Sequence, residues 1–440
     1  MANTSHAYAA ELAEFAYARW QKLERQDDPG PCNPRPGALP ELGALRQLLS
    51  VAYQASLMRE EDRPVRFRLY VGPPEALRPD IGPPEGLQCL RFDRARTFDP
   101  HELRRLSPAV KYHRALIGVR SLAGDDFEIW GMLQSGPRWL QSARGGRALA
   151  SPIPADAIVV RVQGPGNIAV AVGDVTLVEL RAGKLSGGSA DVFQATWLAE
   201  RFASSRAEMM VEHERTLLGP SIPLEEDATR IVSQQMVKRL LATVQETRHG
   251  GSLVFLPHAR ADALLAEGRL IHLKYAFAPE EPRRRYRTLI LAVMKELVAA
   301  GLEQAVRPER VGWHLYQGTR RPGLAALDEA ILEMSQLMAA LTEVDGCTLL
   351  NERFEVIGFG GEITGSLAEV DVIRRARDLE CEQFDLVAID GVGTRHRAAY
   401  RLCAEEHGAL AVVVSQDGSV QFVAWHRGAL TYWEHGNVQG

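Results

Sequence analysis

The chain has little cysteine, no long apolar run and no strong excess of one charge. Its five cysteines (Cys32, Cys89, Cys347, Cys381 and Cys403) are scattered and odd in number, with no CxxC pair among them. That spacing excludes a disulfide framework and a cysteine-built zinc site, and it points to a reducing cytosol. No apolar stretch approaches the length of a membrane span; residues 289–294 form a short run flanked by charge. The opening residues, 1–20, mix Ala, Glu and Arg with aromatics and hold no apolar signal core. A cytoplasmic protein without membrane contact is therefore expected. A formal charge of -5 argues against a broad nucleic-acid surface, while leaving room for a local basic pocket.

What is present is an ordinary globular composition, 46% hydrophobic and 24% charged, in 440 residues, enough for two or three domains with cores of their own. Residues 4–26 place Tyr8, Leu12, Phe15 and Leu23 on one helical face, and a second helix follows a Pro/Gly stretch at 28–40 with Leu42, Leu45, Leu49 and Ala52 on its stripe. From Val65 the period changes to two, and 65–71 reads as a half-buried strand. Two Gly-Pro-Pro-Glu copies, at 72–75 and 82–85, read as turns. Strands are expected at 112–119, 127–133, 157–162, 168–172 and 175–180. This β-rich stretch holds no catalytic cluster: His101 and His113 stand alone, as structural histidines usually do. A helical zone spans 192–248, broken near 219–223, and a buried strand opens at Ser252. Amphipathic helices follow, carrying Tyr286, Leu289, Val293 and Leu297, then Leu324, Ile331, Met334 and Met338. Strands at 347–350, 354–358, 386–389, 409–414 and 420–424 complete a mixed α/β sheet.

Chemistry concentrates late in the chain. Gly393-Thr394-Arg395-His396-Arg397 follows a small-residue approach and opens a helix through Ala398 and Ala399. Guanidinium forks match two phosphate oxygens at once, histidine adds a donor or a charge, and free N–H groups at a helix start favour an anion. The Arg283-Arg284-Arg285 triplet lacks that context and reads as solvated surface. Asp345-Gly346-Cys347 puts a carboxylate at a sharp turn between an amphipathic helix and a strand, although Asp-Gly pairs commonly do no more than turn the chain. Such a carboxylate suits a divalent ion that also takes phosphate oxygens. The strand at 411–414 ends in Ser415-Gln416-Asp417-Gly418, for which a plain β-turn is an adequate account. Gly358-Phe359-Gly360-Gly361 lacks the Lys-Ser/Thr of a phosphate loop and reads as a bend at a strand end.

With Asp345-Gly346-Cys347, Gly393–Arg397 and Val414–Asp417 in this order, residues 223–440 resemble the diadenylate cyclase domain of the DNA-integrity-scanning family. That family carries an Asp-Gly-Ala motif, a Gly-Thr/Ala-Arg-His-Arg motif and a Val-Ser strand followed by an acidic residue. Gly250-Gly251-Ser252-Leu253-Val254 is similar to its first glycine-led strand. The β-rich N-terminal half resembles, more loosely, the DACNV-type sensor domain that precedes such cyclase domains in some bacterial proteins. Cys347 stands in place of the usual alanine and Asp417 in place of a longer glutamate. The gap from Asp345 to Arg395 exceeds the family's, placing an insertion within 366–382.

The resemblance implies an α/β (α+β) chain. A C-terminal mixed-sheet cyclase-like domain with flanking helices (223–440) follows N-terminal helices (1–60), a β-rich α+β sensor-like domain (61–200) and a helical linker (201–222). It implies condensation of two ATP into cyclic di-AMP and two pyrophosphates at a homodimer, with Mg²⁺ or Mn²⁺ as cofactor. Its implied site is Asp345, Gly346, Arg395, His396 and Arg397 for catalysis. Cys347, Gly393, Thr394 and Ser415 would hold nucleotide, and Asp345 with Asp417 would hold metal. Gly346 would let the nucleotide approach the backbone closely. The alternative is a catalytically inactive sensor of ATP or a cyclic dinucleotide.

Overall fold

The computed structural model describes residues 6–24, 39–77, 88–112, 114–134, 147, 157–173, 175–187, 191–217, 219–247, 249–268, 270–364, 367, 369–416 and 418–435. The second Gly-Pro-Pro-Glu copy, His113, Cys32 and Asp417 lie outside them. The chain is α+β and divides into two units, one of Met1–Ala143 and Ala148–Ser189, the other of Arg144–Arg147 and Ala190–Gln439.

In the first unit, helices Ala9–Glu24 and Leu42–Ser56 share a core with one sheet, through Leu12, Ala16, Trp20, Leu45, Leu48 and Leu49. A small hairpin, β1 (Arg59–Glu60) and β2 (Arg63–Pro64), precedes that sheet. Its strands are β3 (Phe67–Val71), β4 (Gln88–Thr97), β5 (Ala115–Ser121), β6 (Phe127–Gln134), β7 (Ile158–Gly164), β8 (Asn167–Val172), β9 (Val175–Arg181) and β10 (Lys184–Gly187). They lie in the order β10-β9-β8-β7-β3-β5-β6-β4, antiparallel except where β3 runs parallel to β5. The expected half-buried strand at 65–71 is instead central and buried on both faces, Arg68 included. Alternation misled here because Arg68 reads as a solvent-facing residue, yet it pairs across the ladder with the equally buried Arg161. The strands the pattern missed, β4 and β10, are the two sheet edges. Edge strands carry charge and little apolar alternation, and β4 reads Gln-Cys-Leu-Arg-Phe-Asp-Arg-Ala-Arg-Thr.

The second unit holds a nine-stranded sheet of β11 (Gly251–Leu256), β12 (Ile271–Ala276), β13 (Cys347–Asn351), β14 (Val356–Ile363), β15 (Val372–Ala376), β16 (Phe384–Ala388), β17 (Leu410–Val414), β18 (Val420–His426) and β19 (Ala429–His435). The order is β12-β14-β13-β11-β17-β18-β19-β15-β16, with β11/β13 and β15/β19 parallel and the other pairs antiparallel. All six residues of β11 are buried, because its two faces pack on different helices. Leu253 and Phe255 join helices Ala228–Thr247, Arg285–Leu302 and Pro322–Thr342, while Val254 and Leu256 join helices His258–Glu267 and Thr394–Glu405. That is the continuous apolar run of a sheet covered on both sides. The stretch read as an insertion contains β15, which with β16 extends the sheet beyond β19.

The boundary drawn at 223, with 201–222 as a linker, differs from the structure. Residues from Ala190 onward belong to the second unit. Phe193 packs edge-on to Phe422 at 5.4 Å, and Trp197 stacks on Trp433 at 4.3 Å while its Nε1 donates to the Leu379 carbonyl at 3.0 Å. Phe202 stacks on Phe354 and Met209 is buried in the same core. A segment that buries aromatic side chains at roughly 1.5–3 kcal/mol each is part of a domain rather than a connection.

Candidate functional site

The N-terminal edge of β11 and β13 is built by glycines that let backbones converge. Gly251 lies against Thr342 at the end of helix Pro322–Thr342, where a Cβ would meet the threonine side chain at 2.6 Å. Gly250, at φ +71°, lies against the Val414 carbonyl and the Arg395 guanidinium. The Arg395 Nη1 donates to the His249 carbonyl at 3.0 Å, tying helix Thr394–Glu405 to the entry of β11. His396 reaches the end of β17, its Nε2 lying 3.4 Å from the Ser415 hydroxyl.

These approaches border an open cavity of about 940 Å³ lined by Asp345, Gly346 and Cys347, by Gly393 through His396, and by Ser415. Three segments distant in sequence thus meet. Gly393 is the N-cap of Thr394–Glu405 and offers no side-chain cap, so the first-turn N–H groups of that helix, whose residues 394–396 line the cavity, are left without one. Asp345 is exposed at the cavity wall, in the turn before β13.

Arg397 does not join them. It is exposed and absent from the lining, because residues two apart on a helix face different sides. The paired forks are therefore one fork in this cavity, Arg395. Gly346 lines the cavity and also has a packing constraint of its own. It sits at φ +112°, and a Cβ there would meet the Gly360 and Gly361 backbones at 2.8 Å. One close approach that it permits is to β14 of its own sheet. Gly358-Phe359-Gly360-Gly361 accordingly lies inside β14 rather than at a strand end, with Gly360 at φ +65° and a register shift against β13. Cys347 packs under Gly361, and burial pushes its thiol up to about 12, so it lines the wall as a neutral group.

Sequence reasoning missed several lining residues. Ser252 lies on the cavity with its Oγ buried and, among the described residues, without a hydrogen-bond partner. Its only signal was its place beside the paired glycines. Glu362 brings a second carboxylate, held 2.6 Å from the Lys274 ammonium. That hydrogen bond raises the Lys274 pKa and lowers that of Glu362, and Asp345 adds to the field on Lys274. Among the described residues no group of three or more His, Cys, Asp or Glu gathers round a metal-sized centre. A single unpaired carboxylate fits a divalent ion that arrives with phosphate oxygens, as Mg²⁺ does, rather than a protein-built cage.

Among the described residues no helix is long and apolar enough to cross a membrane. No curated protein and no solved structure matches the chain. Residues 35–134, from just before helix Leu42–Ser56 to the end of β6, match the family model described as "Probable sensor domain DACNV".

Proposed function

We propose that the second unit is a diadenylate cyclase, condensing two ATP into cyclic di-AMP and two pyrophosphates in the cytoplasm under the control of the first unit. The observation that carries this reading is the shared cavity: Asp345, the Gly393–His396 helix start and Ser415 line one space of about 940 Å³. In each half-reaction a ribose 3′-oxygen bonds to the α-phosphorus of the other ATP. The bond from that phosphorus to the bridging oxygen breaks, pyrophosphate departs, and the hydroxyl proton is lost. Positioning and charge neutralisation carry most of such a step.

Arg395 and the first-turn N–H groups of its helix hold the triphosphate. His396 and Ser415, already within reach of each other, donate to phosphate oxygens. The orphaned Ser252 hydroxyl gains a partner when nucleotide enters. Asp345 draws the hydroxyl proton and would hold Mg²⁺ or Mn²⁺, which supplies charge neutralisation at the phosphates when bound. Two identical bonds require two half-sites face to face, hence a homodimer about a twofold axis. Arg397, exposed on the same helix, takes no part in its own chain's cavity.

Purified full-length chain incubated with ATP and Mn²⁺ should yield cyclic di-AMP by mass spectrometry. Asp345→Asn should abolish product while largely sparing ATP binding. Binding without turnover in the unsubstituted protein would favour a catalytically inactive nucleotide sensor, a reading consistent with the lack of a built metal cluster among the described residues.

A further inference from the structure

A second cavity, of about 1150 Å³, opens in the same unit at the other end of β11 and β13, where Asn351 closes β13. Five of its lining residues are arginines: Arg215 from helix Ala203–Thr216, Arg283 and Arg284 from the turn Glu281–Arg284, Arg287 from helix Arg285–Leu302, and Arg353 from the turn after β13. Glu208, Glu212, Asp262, Glu281 and Glu355 line it as well. The triplet expected as solvated surface therefore divides. Arg285 pairs with Glu281 at the surface, whereas the Arg283 side chain is turned in and only 13% exposed.

The charges are unevenly answered. Arg287 donates through Nε and Nη2 to Glu212 at 2.9 and 2.7 Å, and Arg353 donates to Glu208 at 2.7 Å. Arg283 and Arg284 share one carboxylate, Glu355, at 3.8 and 3.7 Å, beyond hydrogen-bond reach. Glu355 already accepts from Asn351 Nδ2 at 3.0 Å. Arg283 Nε and Arg287 Nη1 are both buried and, among the described residues, have no hydrogen-bond partner. Leaving a buried charged donor without a partner destabilises a fold, so native folds keep such donors where an ion, water or ligand answers them. Water would satisfy the donors but not the local excess of two guanidiniums, Arg283 and Arg284, over the one Glu355 carboxylate, and the volume suits a whole small molecule. Several guanidiniums round one cavity can each take a different oxygen of a phosphate, which offers more acceptors than the two of a carboxylate.

We propose that this cavity binds a phosphate-bearing small molecule, with Arg283 and Arg287 donating to its oxygens and Arg284 at its mouth. The site is separate from the Asp345 cavity and stands whether or not that cavity turns over ATP.

Inorganic pyrophosphate is the probe, titrated calorimetrically into full-length chain carrying Arg395→Ala, which strips the fork from the Asp345 cavity. One binding event is expected, and adding Arg283→Gln should weaken it at least tenfold. Among the described residues Arg283 has no side-chain hydrogen bond and one long ion pair, to Glu355 at 3.8 Å, so near-UV circular dichroism of the variant should match that of its parent. A companion measurement needs no substitution: phenylglyoxal modification of the unsubstituted chain, mapped by mass spectrometry. Pyrophosphate should protect Arg283 and Arg287 where chloride of equal ionic strength does not. Absent pyrophosphate binding, binding indifferent to Arg283→Gln, or equal modification with both salts would overturn the proposal.

Discussion

Ser252 and Arg395 show how a side chain's contacts separate a binding role from a packing role. The Ser252 Oγ is buried without a partner among the described residues, so Ser252→Ala removes a desolvation cost and no hydrogen bond. Its stability should equal or exceed that of the parent by up to about 1 kcal/mol in chemical denaturation, while ATP affinity falls. A loss of stability without a change in affinity would assign Ser252 to packing. Arg395→Ala should weaken ATP binding at least tenfold by calorimetry, and Arg397→Ala by less than twofold, because only the first lines the cavity. The sequence shows both arginines as equals; the helical turn between them decides which one reaches the site. Cys347 offers a chemical check on the same wall. With its thiol near 12, about one molecule in ten thousand is thiolate at pH 8. Thiol reagents should modify the partly exposed Cys89 first and spare Cys347 until the chain unfolds.

Elements were legible where a single periodicity ruled. The stripes of Arg285–Leu302 and Pro322–Thr342 and the runs of β11 and β17 stand where apolar spacing puts them. Edge strands were not legible, since β4, β10 and β12 show solvent much of their length and need no apolar face. Strand β19 was missed for another reason: its hairpin turn, Arg427-Gly428 at φ +47° and +75°, carries a weak sequence signal. That strand ends in a pH-sensitive contact. His435 Nδ1 accepts the Val192 N–H at 3.2 Å, and burial pushes the imidazole down to about 4. The unfolded chain takes up a proton near the ordinary 6.5, whereas the fold resists it until about 4. Stability from this group is thus complete above pH 6.5 and is lost as the pH falls toward 4, by up to roughly 3 kcal/mol. Urea unfolding of the parent and of His435→Asn at pH 7 and pH 4.5 should show a smaller pH dependence in the variant.

At the scale of the molecule, the boundary between units has a measurable consequence. A fragment of 190–440 should keep the aromatic core around Trp197 and Trp433 and melt cooperatively. A fragment of 223–440 discards Phe193, Trp197 and Phe202 and should lose its cooperative transition, as scanning calorimetry would show. The longer fragment should still melt below the full chain. It lacks Arg147, whose guanidinium pairs with the buried Asp328 at 2.5 Å, and leaving one partner of a buried pair alone costs about 3–5 kcal/mol. Should both fragments melt alike, the 190–222 segment would be a linker after all.

Hydrophobic periodicity and motif order were enough to determine an α+β chain, its principal helices and the residue types of an anion site, because these depend on local spacing alone. Tertiary structure decided the rest. Close backbone approach at Gly250, Gly251 and Gly346 brings Asp345, Arg395 and Ser415 to one cavity, helical rotation keeps Arg397 out of it, and the fold turns Arg283 from apparent surface inward, 13% exposed and sharing the Glu355 carboxylate with Arg284. Apart from that helical offset, those outcomes turn on contacts between different elements, such as Gly250 with Arg395 and Arg283 with Glu355, and no local pattern of side chains encodes them.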